Sequence, residues 1–265
     1  MNLENMIRVI PHRVDSASMS LAIDRNLLDV MKTDLEKNKT VDPIFRTYQF
    51  SNSAIIFGHN QNLNGRYNSK LANGIEITKR DTGGGHMYFT PQDIHFSFIS
   101  PLEFYGTDDV LIQYKKVNEI VTKALIECGY DAGLGRTSIR VGGKIIAGSA
   151  RKHEDSVCLH HGFILFRDYD KKIFDLLMAR DYEVEKWKEL VTNLSDHNSL
   201  NYVEIPEKII SFIGNHYKQP LTREEFDAAV SICSEKYQNS KFVNLGDREE
   251  GICLVAEYTK DKDKN

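Results

Sequence analysis

The sequence lacks long hydrophobic runs, an excess of positive charge and a hydrophobic N-terminal segment. No apolar stretch approaches the ~20 residues that a membrane-spanning helix needs. Residues 1–13 contain no apolar core followed by a cleavage site. A net charge of −4 and an isoelectric point near 6.2 give no electrostatic footprint for nucleic acid. We therefore expect a cytoplasmic protein that binds neither a membrane nor nucleic acid.

Cysteine is also scarce. The spacing of the four cysteines favours reduced thiols in the cytoplasm over a disulfide framework; they are Cys128, Cys158, Cys233 and Cys253. No Cys/His set has zinc spacing. The adjacent His160 and His161 point to opposite sides of a strand, so they cannot both face one metal ion. The sequence therefore assigns no metal ligand.

What is present is an ordinary globular composition, with 41% hydrophobic and 27% charged residues in a chain of 265. That length predicts one large domain, which we place at residues 1–258, followed by a disordered charged tail at 259–265. Strand patterns dominate residues 1–168 and helical patterns residues 169–240. Short connections between strands favour antiparallel pairing. The predicted fold class is α+β (α/β), with a mixed, mainly antiparallel sheet flanked by helices.

Hydrophobic periodicity and capping residues set the predicted element boundaries. Asp15 or Ser16 is expected to cap the first long helix and Thr107 the second, while Thr222 and Glu225 form a capping box. Helices are predicted at 17–37, 64–72, 108–128, 171–179, 183–190, 206–217 and 222–237. Strands are predicted at 7–10, 44–50, 53–58, 74–78, 86–89, 94–99, 139–141, 144–150, 157–166 and 252–258, with a loop at 151–156.

The segment 79–88 reads Lys-Arg-Asp-Thr-Gly-Gly-Gly-His-Met-Tyr and lies between two predicted strands. Consecutive glycines permit positive φ and close approach of a ligand, and successive N–H groups in such a turn form an anion-binding concavity. Arg80 can contact a phosphate or carboxylate bidentately. The segment matches neither common nucleotide-binding glycine loop. Alone, it is more simply interpreted as a hairpin loop with solvated charges.

Two downstream segments supply further signals. Residues 142–150 read Gly-Gly-Lys-Ile-Ile-Ala-Gly-Ser-Ala, an apolar strand that Lys144 opens and small residues close. Residues 158–166 read Cys-Leu-His-His-Gly-Phe-Ile-Leu-Phe, a strand with paired histidines. A lysine at a strand start is commonly a solvated edge charge. Between glycines and a buried run, it can instead point into a cleft.

Together these segments resemble the lipoate–protein ligase family, which is grouped with biotin–protein ligases and octanoyltransferases. The family pattern reads roughly Arg-Arg-x-x-Gly-Gly-Gly, then Lys-[ILV]-x-Gly-Ser-Ala, then His-His-Gly-x-[IL]-[IL]. Four further segments match in the same order, at residues 19–24, 55–62, 135–139 and 191–194. The resemblance covers roughly residues 7–240. It implies the fold of class II aminoacyl-tRNA synthetases and biotin ligases.

The resemblance also implies an activity. Lipoate–protein ligases join lipoate or octanoate to ATP as an acyl-adenylate and pass the acyl group to a lysine of a lipoyl carrier domain. Lys144 is matched to the family's lysine and would stand between the carboxylate and the α-phosphate, because two anions at contact distance repel by several kcal/mol. Mg²⁺ is expected as the partner of the phosphates.

Site residues follow from the same match. Those matched to ATP and adenylate binding are Arg80, Gly83, Gly84, Gly85, His86, Met87, Tyr88 and Lys144. Those matched to lipoate binding are Lys144, Gly148, Ser149, Ala150 and His161, with Ala54, Ile56 and Phe163 expected along an apolar tunnel.

Departures from the pattern keep other functions open. After the glycines the family usually has Ala-Val-[YF]-His-Asp, whereas residues 86–90 read His-Met-Tyr-Phe-Thr. An ATP-independent octanoyl or lipoyl transferase would carry a cysteine in the loop before the lysine strand, and residues 131–143 contain none. A non-catalytic lipoate-binding homologue is the third interpretation. Many bacterial ligases carry an extra C-terminal domain, so the chain either acts alone or works with a separate small accessory subunit.

Overall fold

The computed structural model describes residues 6–197, 199–247 and Ile252. The strands are β1 (Ile7–Asp15), β2 (Ile44–Phe50), β3 (Ala54–Phe57), β4 (Glu76–Lys79), β5 (Met87–Phe89), β6 (Ile94–Pro101), β7 (Ala132–Leu134), β8 (Ser138–Val141), β9 (Lys144–Glu154), β10 (Val157–Ile164) and β11 (His216–Lys218). The helices are α1 (Ala17–Glu36), α2 (Val110–Glu127), α3 (Lys171–Leu176), α4 (Asp181–Leu190), α5 (Ile205–Ser211), α6 (Arg223–Ile232) and α7 (Ser240–Val243). Among the described residues, no helix is long and apolar enough to cross a membrane.

A large sheet organises the molecule. Its eight strands have the order β11-β1-β2-β6-β10-β9-β8-β7. The pairs β11–β1 and β1–β2 are parallel, and every other neighbouring pair is antiparallel. A second sheet, β4-β3-β5, carries the glycine-rich segment between β4 and β5. The predicted fold class, a mixed and mainly antiparallel sheet flanked by helices, is confirmed.

Both faces of the large sheet are covered by hydrophobic layers. On one face, α1, the small sheet and α4 bury residues such as Leu27, Ile55 and Trp187. On the other face, α2 and α5 bury residues such as Val121 and Ile209. Side chains alternate across a strand, so neighbouring residues of one central strand serve the two layers separately. We call these layers the α1 face and the α2 face.

The first long helix begins where the sequence predicts. Ser16 is the N-cap of α1, and its Oγ accepts a hydrogen bond from the Met19 N–H at 3.2 Å. The helical period predicts that Ala22, Ile23, Leu27 and Val30 lie on the inner face of this helix. Ala22, Ile23 and Leu27 are buried, whereas Val30 is 41% exposed.

The second long helix begins two residues later than predicted. Asp109, not Thr107, is the N-cap of α2, and its Oδ1 accepts from the N–H groups of Leu111 and Ile112. Thr107 Oγ1 instead accepts from the Asp109 N–H. The helical period predicts that Val110 and Leu111 belong to the apolar stripe of this helix, but both are exposed in its first turn. The prediction that Thr107 caps this helix is therefore wrong.

Other boundaries differ because local turns interrupt helical periodicity. Residues 64–72 form turns rather than a helix, and Asn68 Oδ1 accepts from the backbone N–H of Lys70 instead of a helical carbonyl. The predicted helix 206–217 ends at Ser211, and β11 follows Gly214, whose φ is 87°. The predicted loop 151–156 is wrong for most of its length, because β9 continues to Glu154 and pairs with β10.

Two strands that the sequence did not predict, β7 and β11, have only three residues each, too few to show a sequence period. Of the predicted strand 252–258, only Ile252 lies within the described residues, where it forms an isolated bridge with His86. The predicted tail 259–265 lies outside them. The placement of a single domain at 1–258 stays a prediction.

Candidate functional site

A cavity lies on the α1 face of the large sheet, beneath the glycine-rich segment. It crosses four neighbouring strands, β9, β10, β6 and β2, and is closed above by β3 and β5. Three strand spacings of ~4.8 Å give a span of about 14 Å. The lining residues are Leu21, Tyr48, Phe50, Ile56, Arg80, Met87, Phe89, His95, Gly148, Ser149, Ala150, His161, Gly162 and Phe163.

The register of the sheet fixes the order of the groups on the cavity floor. One row across the strands contains Gly148, Phe163, His95 and Tyr48. The next row contains Ala150, His161, Ser97 and Arg46. The β9 end therefore offers small residues, and the β2 end offers aromatic ones. A ligand that lies across these strands meets a polar end at β9 and an aromatic end at β2.

The glycine-rich segment covers the polar end. Arg80 is 7% exposed, and its Nη2 donates to the carbonyls of Gly83 at 2.7 Å and Gly85 at 2.9 Å. Its Nη1 donates to the Ile56 carbonyl at 3.4 Å. The guanidinium thus holds the loop in shape while it also lines the cavity. We expected Arg80 to hold phosphate oxygens, and that role stays a prediction.

Two glycines let the loop lie directly on the end of β3. Gly84 has a φ of 96°, a conformation that favours glycine. A Cβ on Gly58 would lie 1.8 Å from the carbonyl oxygen of Gly84. The loop and the residue after β3 therefore require glycine for backbone contact with each other, whatever ligand approaches from the other side.

His161 connects the loop to the cavity floor. Its Nε2 lies 2.7 Å from Thr82 Oγ1, and its Nδ1 lies 3.9 Å from Asp24 Oδ2 on α1. Burial lowers the pKa of His161 to about 3, and the nearby Arg80 adds to the effect. The ring is therefore neutral at pH 7, and its contact with Asp24 is not an ion pair. His161 lines the cavity as predicted.

Asp24 and Arg46 form a buried ion pair next to the cavity. Arg46 Nη1 donates to Asp24 Oδ1 at 2.9 Å, and both side chains are almost fully buried. Ser97 Oγ donates to the same carboxylate oxygen at 2.7 Å, and the Tyr48 hydroxyl contacts Oδ2 at 3.4 Å. Burial raises the pKa of Asp24, while Arg46 opposes that shift. The pair fixes α1 on the sheet beside the site.

Lys144 does not line the cavity. Its side chain is exposed, and its Nζ donates to the backbone carbonyl of Lys188 at 2.9 Å. Gly142 and Gly143, with φ of 56° and 82°, form the two-residue hairpin turn that precedes it. The flanking glycines therefore serve the turn. Four residues of strand, about 13 Å, separate Lys144 from Gly148.

The register of the lysine motif also departs from the family pattern. In that pattern the lysine precedes the glycine by three residues, and the residue three before Gly148 is Ile145. A β-bulge follows, because Arg140 pairs with Ile145 while Ile139 pairs with Ala147. Ile145 consequently joins the core of the α1 face. An apolar side chain thus occupies the position that the pattern gives to lysine, and the catalytic role of Lys144 stays a prediction.

His86 is a buried support behind the loop. Its Nδ1 accepts from Gln61 Nε2 at 3.1 Å, and Gln61 Oε1 accepts from the Gly58 N–H at 2.9 Å. Its ring stacks on Phe57. Burial lowers the pKa of His86 to about 4, so the ring is neutral. This arrangement explains how an imidazole replaces a small residue without entering the cavity.

The cavity brings together only part of the predicted site. The predicted residues that line it are Arg80, Met87, Gly148, Ser149, Ala150, His161, Ile56 and Phe163. Those absent from its lining are Gly83, Gly84, Gly85, His86, Tyr88, Lys144 and Ala54. Their contacts with an adenylate stay predictions. Lining residues that were not among the predicted site residues are Leu21, Tyr48, Phe50, Phe89, His95 and Gly162. Leu21, Phe89 and Gly162 lie within the segments compared with the family pattern, whereas Tyr48, Phe50 and His95 lie on β2 and β6, outside every motif.

The described cysteines lie away from the cavity lining. Cys128, Cys158 and Cys233 are free and buried, and burial raises the pKa of each thiol. The Arg151 guanidinium donates to Cys158 Sγ at 2.8 Å on the α2 face. Within the described residues, no group of three or more His, Cys, Asp or Glu side chains is placed to hold a metal ion.

The chain is similar to several lipoate–protein ligases. It is 27% identical over 219 residues to lipoate-protein ligase LplJ of Bacillus subtilis, covering 76% of this chain and 65% of that protein. It is 25% identical to lipoate-protein ligase A of Psychrobacter cryohalolentis, covering 79% and 63%. These matches therefore span less than two thirds of either relative. It is also 22% identical to octanoyltransferase LipM of Bacillus subtilis, covering 85% and 87%.

Solved structures share the fold. A bi-partite lipoate protein ligase from Thermoplasma acidophilum superposes with a TM-score of 0.77 at 21% identity, covering 92% of this chain and 98% of that one. Lipoate-protein ligase A bound with ATP superposes with a TM-score of 0.75 at 22% identity, covering 91% and 99%. The family described as lipoyl protein ligase A/B catalytic domain matches residues 16–214. The chain therefore belongs to the lipoyl protein ligase A/B catalytic domain family.

Proposed function

We propose that this chain is a lipoate–protein ligase. It activates lipoate, or octanoate, with ATP to the acyl-adenylate and transfers the acyl group to a specific lysine of a lipoyl carrier domain in the cytoplasm. The observation that carries this proposal is the cavity, which is lined by small residues and Arg80 at one end and by aromatic rings at the other. Its span of about 14 Å across the sheet suits a medium-length acyl chain.

The polar end suits an anionic head group. Arg80 lines it, and we propose that backbone N–H groups of the neighbouring glycine-rich loop would meet the nucleotide phosphates. The acyl carboxylate would lie beside Gly148 and Ala150, where no large side chain blocks approach of a phosphate. Mg²⁺ would be carried by the nucleotide phosphates and water rather than by a protein cluster, as is common for this ion.

A cation is required where carboxylate and α-phosphate meet, since two anions at contact distance repel by several kcal/mol. We assign this role to Lys144. The assignment requires that the Lys144 amine leave the Lys188 carbonyl and reach the polar end of the cavity, beside the small residues of β9. One hydrogen bond to an exposed carbonyl is worth about 1 kcal/mol, so a bound nucleotide can displace it.

The position of Ile145 supports a second candidate, a non-catalytic lipoate-binding homologue. If Lys144 stays on the Lys188 carbonyl, the cavity still binds the acid but no lysine amine neutralises the adenylate. The relationship to an octanoyltransferase raises a third candidate, an ATP-independent transferase. The described cysteines argue against a thioester route, because they are buried and none lines the cavity.

An accessory subunit is a further part of the proposal. The matched relatives LplJ and ligase A are longer than the matched region, whereas the Thermoplasma acidophilum structure, described as bi-partite, is covered almost completely. We propose that this chain either catalyses adenylation alone or works with a second polypeptide of that kind.

The test is lipoate-dependent pyrophosphate release with ATP and Mg²⁺, combined with mass spectrometry of a lipoyl domain. The assay is run with this chain alone and with a Thermoplasma-type accessory subunit. We expect acyl-adenylate and a modified lysine in at least one arm. Lipoate binding without pyrophosphate release in either arm would favour the non-catalytic candidate.

A separate arm tests the transferase. Octanoyl-acyl carrier protein is supplied without ATP, and Cys128→Ala and Cys158→Ala are compared with the unchanged chain. We expect no acyl transfer and no hydroxylamine-labile acylation of the protein. Transfer that Cys158→Ala abolishes would replace the ligase proposal with the transferase.

A further inference from the structure

The aromatic end of the cavity contains one imidazole ring among phenyl and phenol rings. His95 on β6 lines the cavity and is 4% exposed. Its ring centroid lies 3.9 Å from that of Phe50, 4.8 Å from that of Phe89 and 5.3 Å from that of Tyr48. The edge of Phe89 also meets Phe163, at 5.0 Å. Three aromatic rings thus surround a single imidazole, and a fourth packs against one of them.

This imidazole is not satisfied by the protein. Nε2 of His95 is buried and has no hydrogen-bond partner among the described residues. Burial lowers the pKa of His95 well below its usual value, and the neighbouring His161 and Arg46 act in the same direction. The ring is therefore neutral at pH 7. A buried ring nitrogen without a partner is unfavourable, because it has lost its hydrogen bond to water.

We propose that His95 selects the distal end of the acyl chain and favours a sulfur-bearing ring over an unsubstituted hydrocarbon end. The proposal rests on the proposed function, since it takes the cavity to be the acyl site. It assigns His95 as the residue that distinguishes lipoate from octanoate. His95 acts only in binding, and no covalent bond is formed or broken there.

The chemistry of the two ends explains the preference. Sulfur is a weak hydrogen-bond acceptor, and it makes favourable contacts with aromatic rings at their edges. A dithiolane placed among Phe50, Phe89 and Tyr48 would meet ring edges and the imidazole together. A terminal methyl group would fill the same space but leave the imidazole unsatisfied. The site therefore discriminates against octanoate because its methyl end makes no hydrogen bond with the His95 imidazole, not because the two ligands differ in size.

The position of His95 supports a distal contact. It lies two residues before Ser97, the partner of His161 on β10, and two strands away from Gly148 on β9. Strand geometry places it about 10 Å across the sheet from the small residues of β9. A carboxylate at Gly148 and a sulfur ring at His95 are thus compatible with one extended acyl chain.

The test measures dissociation constants for lipoate and for octanoate by calorimetry, without ATP or carrier. The proteins are the unchanged chain, His95→Phe, His95→Gln and the control His160→Phe. His160 is the matched control because it is also a buried, neutral histidine with unsatisfied nitrogens, but its ring lies against Tyr114 and Phe96 on the α2 face. Thermal unfolding of each variant checks that it is folded.

We expect the unchanged chain to bind lipoate more tightly than octanoate. His95→Phe should reduce that ratio about fivefold, which corresponds to one weak hydrogen bond. His95→Gln should recover part of the ratio because its amide can donate, and His160→Phe should leave the ratio unchanged. If His95→Phe folds poorly, the comparison of His95→Gln with the unchanged chain carries the test.

Two results overturn the inference and separate it from the proposed function. Equal affinity of the unchanged chain for both acids, or an unaltered ratio in folded His95→Phe, removes the role of His95 and leaves the acyl-binding cavity intact. Failure of the unchanged chain to bind either acid removes both the inference and the acyl assignment of the cavity.

Discussion

The two histidines of β10 are neighbours in sequence but belong to different parts of the molecule. His161 faces α1, lines the cavity and contacts Thr82 of the glycine-rich segment. His160 faces α2, where it lies against Tyr114 and Phe96 and has no hydrogen bond at either ring nitrogen among the described residues. Burial lowers the pKa of both rings. Residue type and burial are therefore equal, and only the face of the strand separates a site residue from a core residue.

The same contrast holds for two arginines, the buried Arg46 and the half-buried Arg151. On the α1 face, Arg46 is paired with the carboxylate of Asp24. On the α2 face, Arg151 contacts the sulfur of Cys158 and the ring of Tyr105. A full ion pair is used where the helix that borders the cavity must be fixed. Of these two arginines, the one beside the cavity is held by an ion pair with a carboxylate, whereas the one on the opposite face contacts sulfur and an aromatic ring.

The largest expected effect is on the buried ion pair. Asp24→Ala should lower the free energy of unfolding by about 3–5 kcal/mol, because it leaves the guanidinium of Arg46 buried without its counter-ion. Urea unfolding measures the change. Arg151→Met on the α2 face should lower the free energy of unfolding by less than half as much as Asp24→Ala.

A double variant keeps this prediction informative if Asp24→Ala does not fold. Asp24→Leu combined with Arg46→Met removes both charges and should be more stable than Asp24→Ala alone. Equal losses for the single and double variants would show that packing, not the unpaired charge, dominates.

The next effect tests whether catalysis depends on a residue outside the cavity. Lys144→Ala should lower adenylate formation at least ~100-fold, as expected when a charge-stabilising group is removed. Its free energy of unfolding should stay within ~0.5 kcal/mol, because the side chain is exposed. Lipoate-dependent pyrophosphate release measures the rate.

Lys188→Ala is the matched control for that experiment. It removes another exposed lysine but keeps the backbone carbonyl that binds the Lys144 amine, so activity should be unchanged. Full activity in Lys144→Ala would contradict the assignment and would make Arg80 the candidate for the charge-stabilising residue.

The smallest expected effect is the dependence of the free energy of unfolding on pH, to which a buried histidine on each face of the sheet contributes. Below pH ~6.5 an unfolded histidine binds a proton, whereas His161, with a folded pKa of about 3, does not. Stability is therefore fully present above pH 6.5 and falls as pH decreases toward 3, by up to ~1.4 kcal/mol per pH unit for each such histidine. His160→Phe and His161→Phe should each reduce the slope of unfolding free energy against pH between 6 and 4.5. An unchanged slope in both variants would show that other groups control acid sensitivity.

Local patterns were enough to predict much of the fold. The capping roles of Ser16 and of Thr222 with Glu225 are confirmed, and most predicted strands of both sheets are present. These features depend on neighbouring residues, so a linear pattern contains them. The helix predicted at 64–72 failed because a side chain competed for backbone hydrogen bonds, and β11 was missed because its partner strand lies about 200 residues away.

The sequence by itself determined the family, the sheet class and the existence of a glycine-rich loop, because ordered motifs and periodicity are properties of the chain. Only the tertiary structure decided which of these residues meet. Gly148, His161 and His95 come together because β9, β10 and β6 pair in one register, and Lys144 is directed toward the Lys188 carbonyl at the start of a bulged strand. A shift of one residue moves a strand side chain to the opposite face of the sheet. A linear motif does not specify which face its residues will occupy.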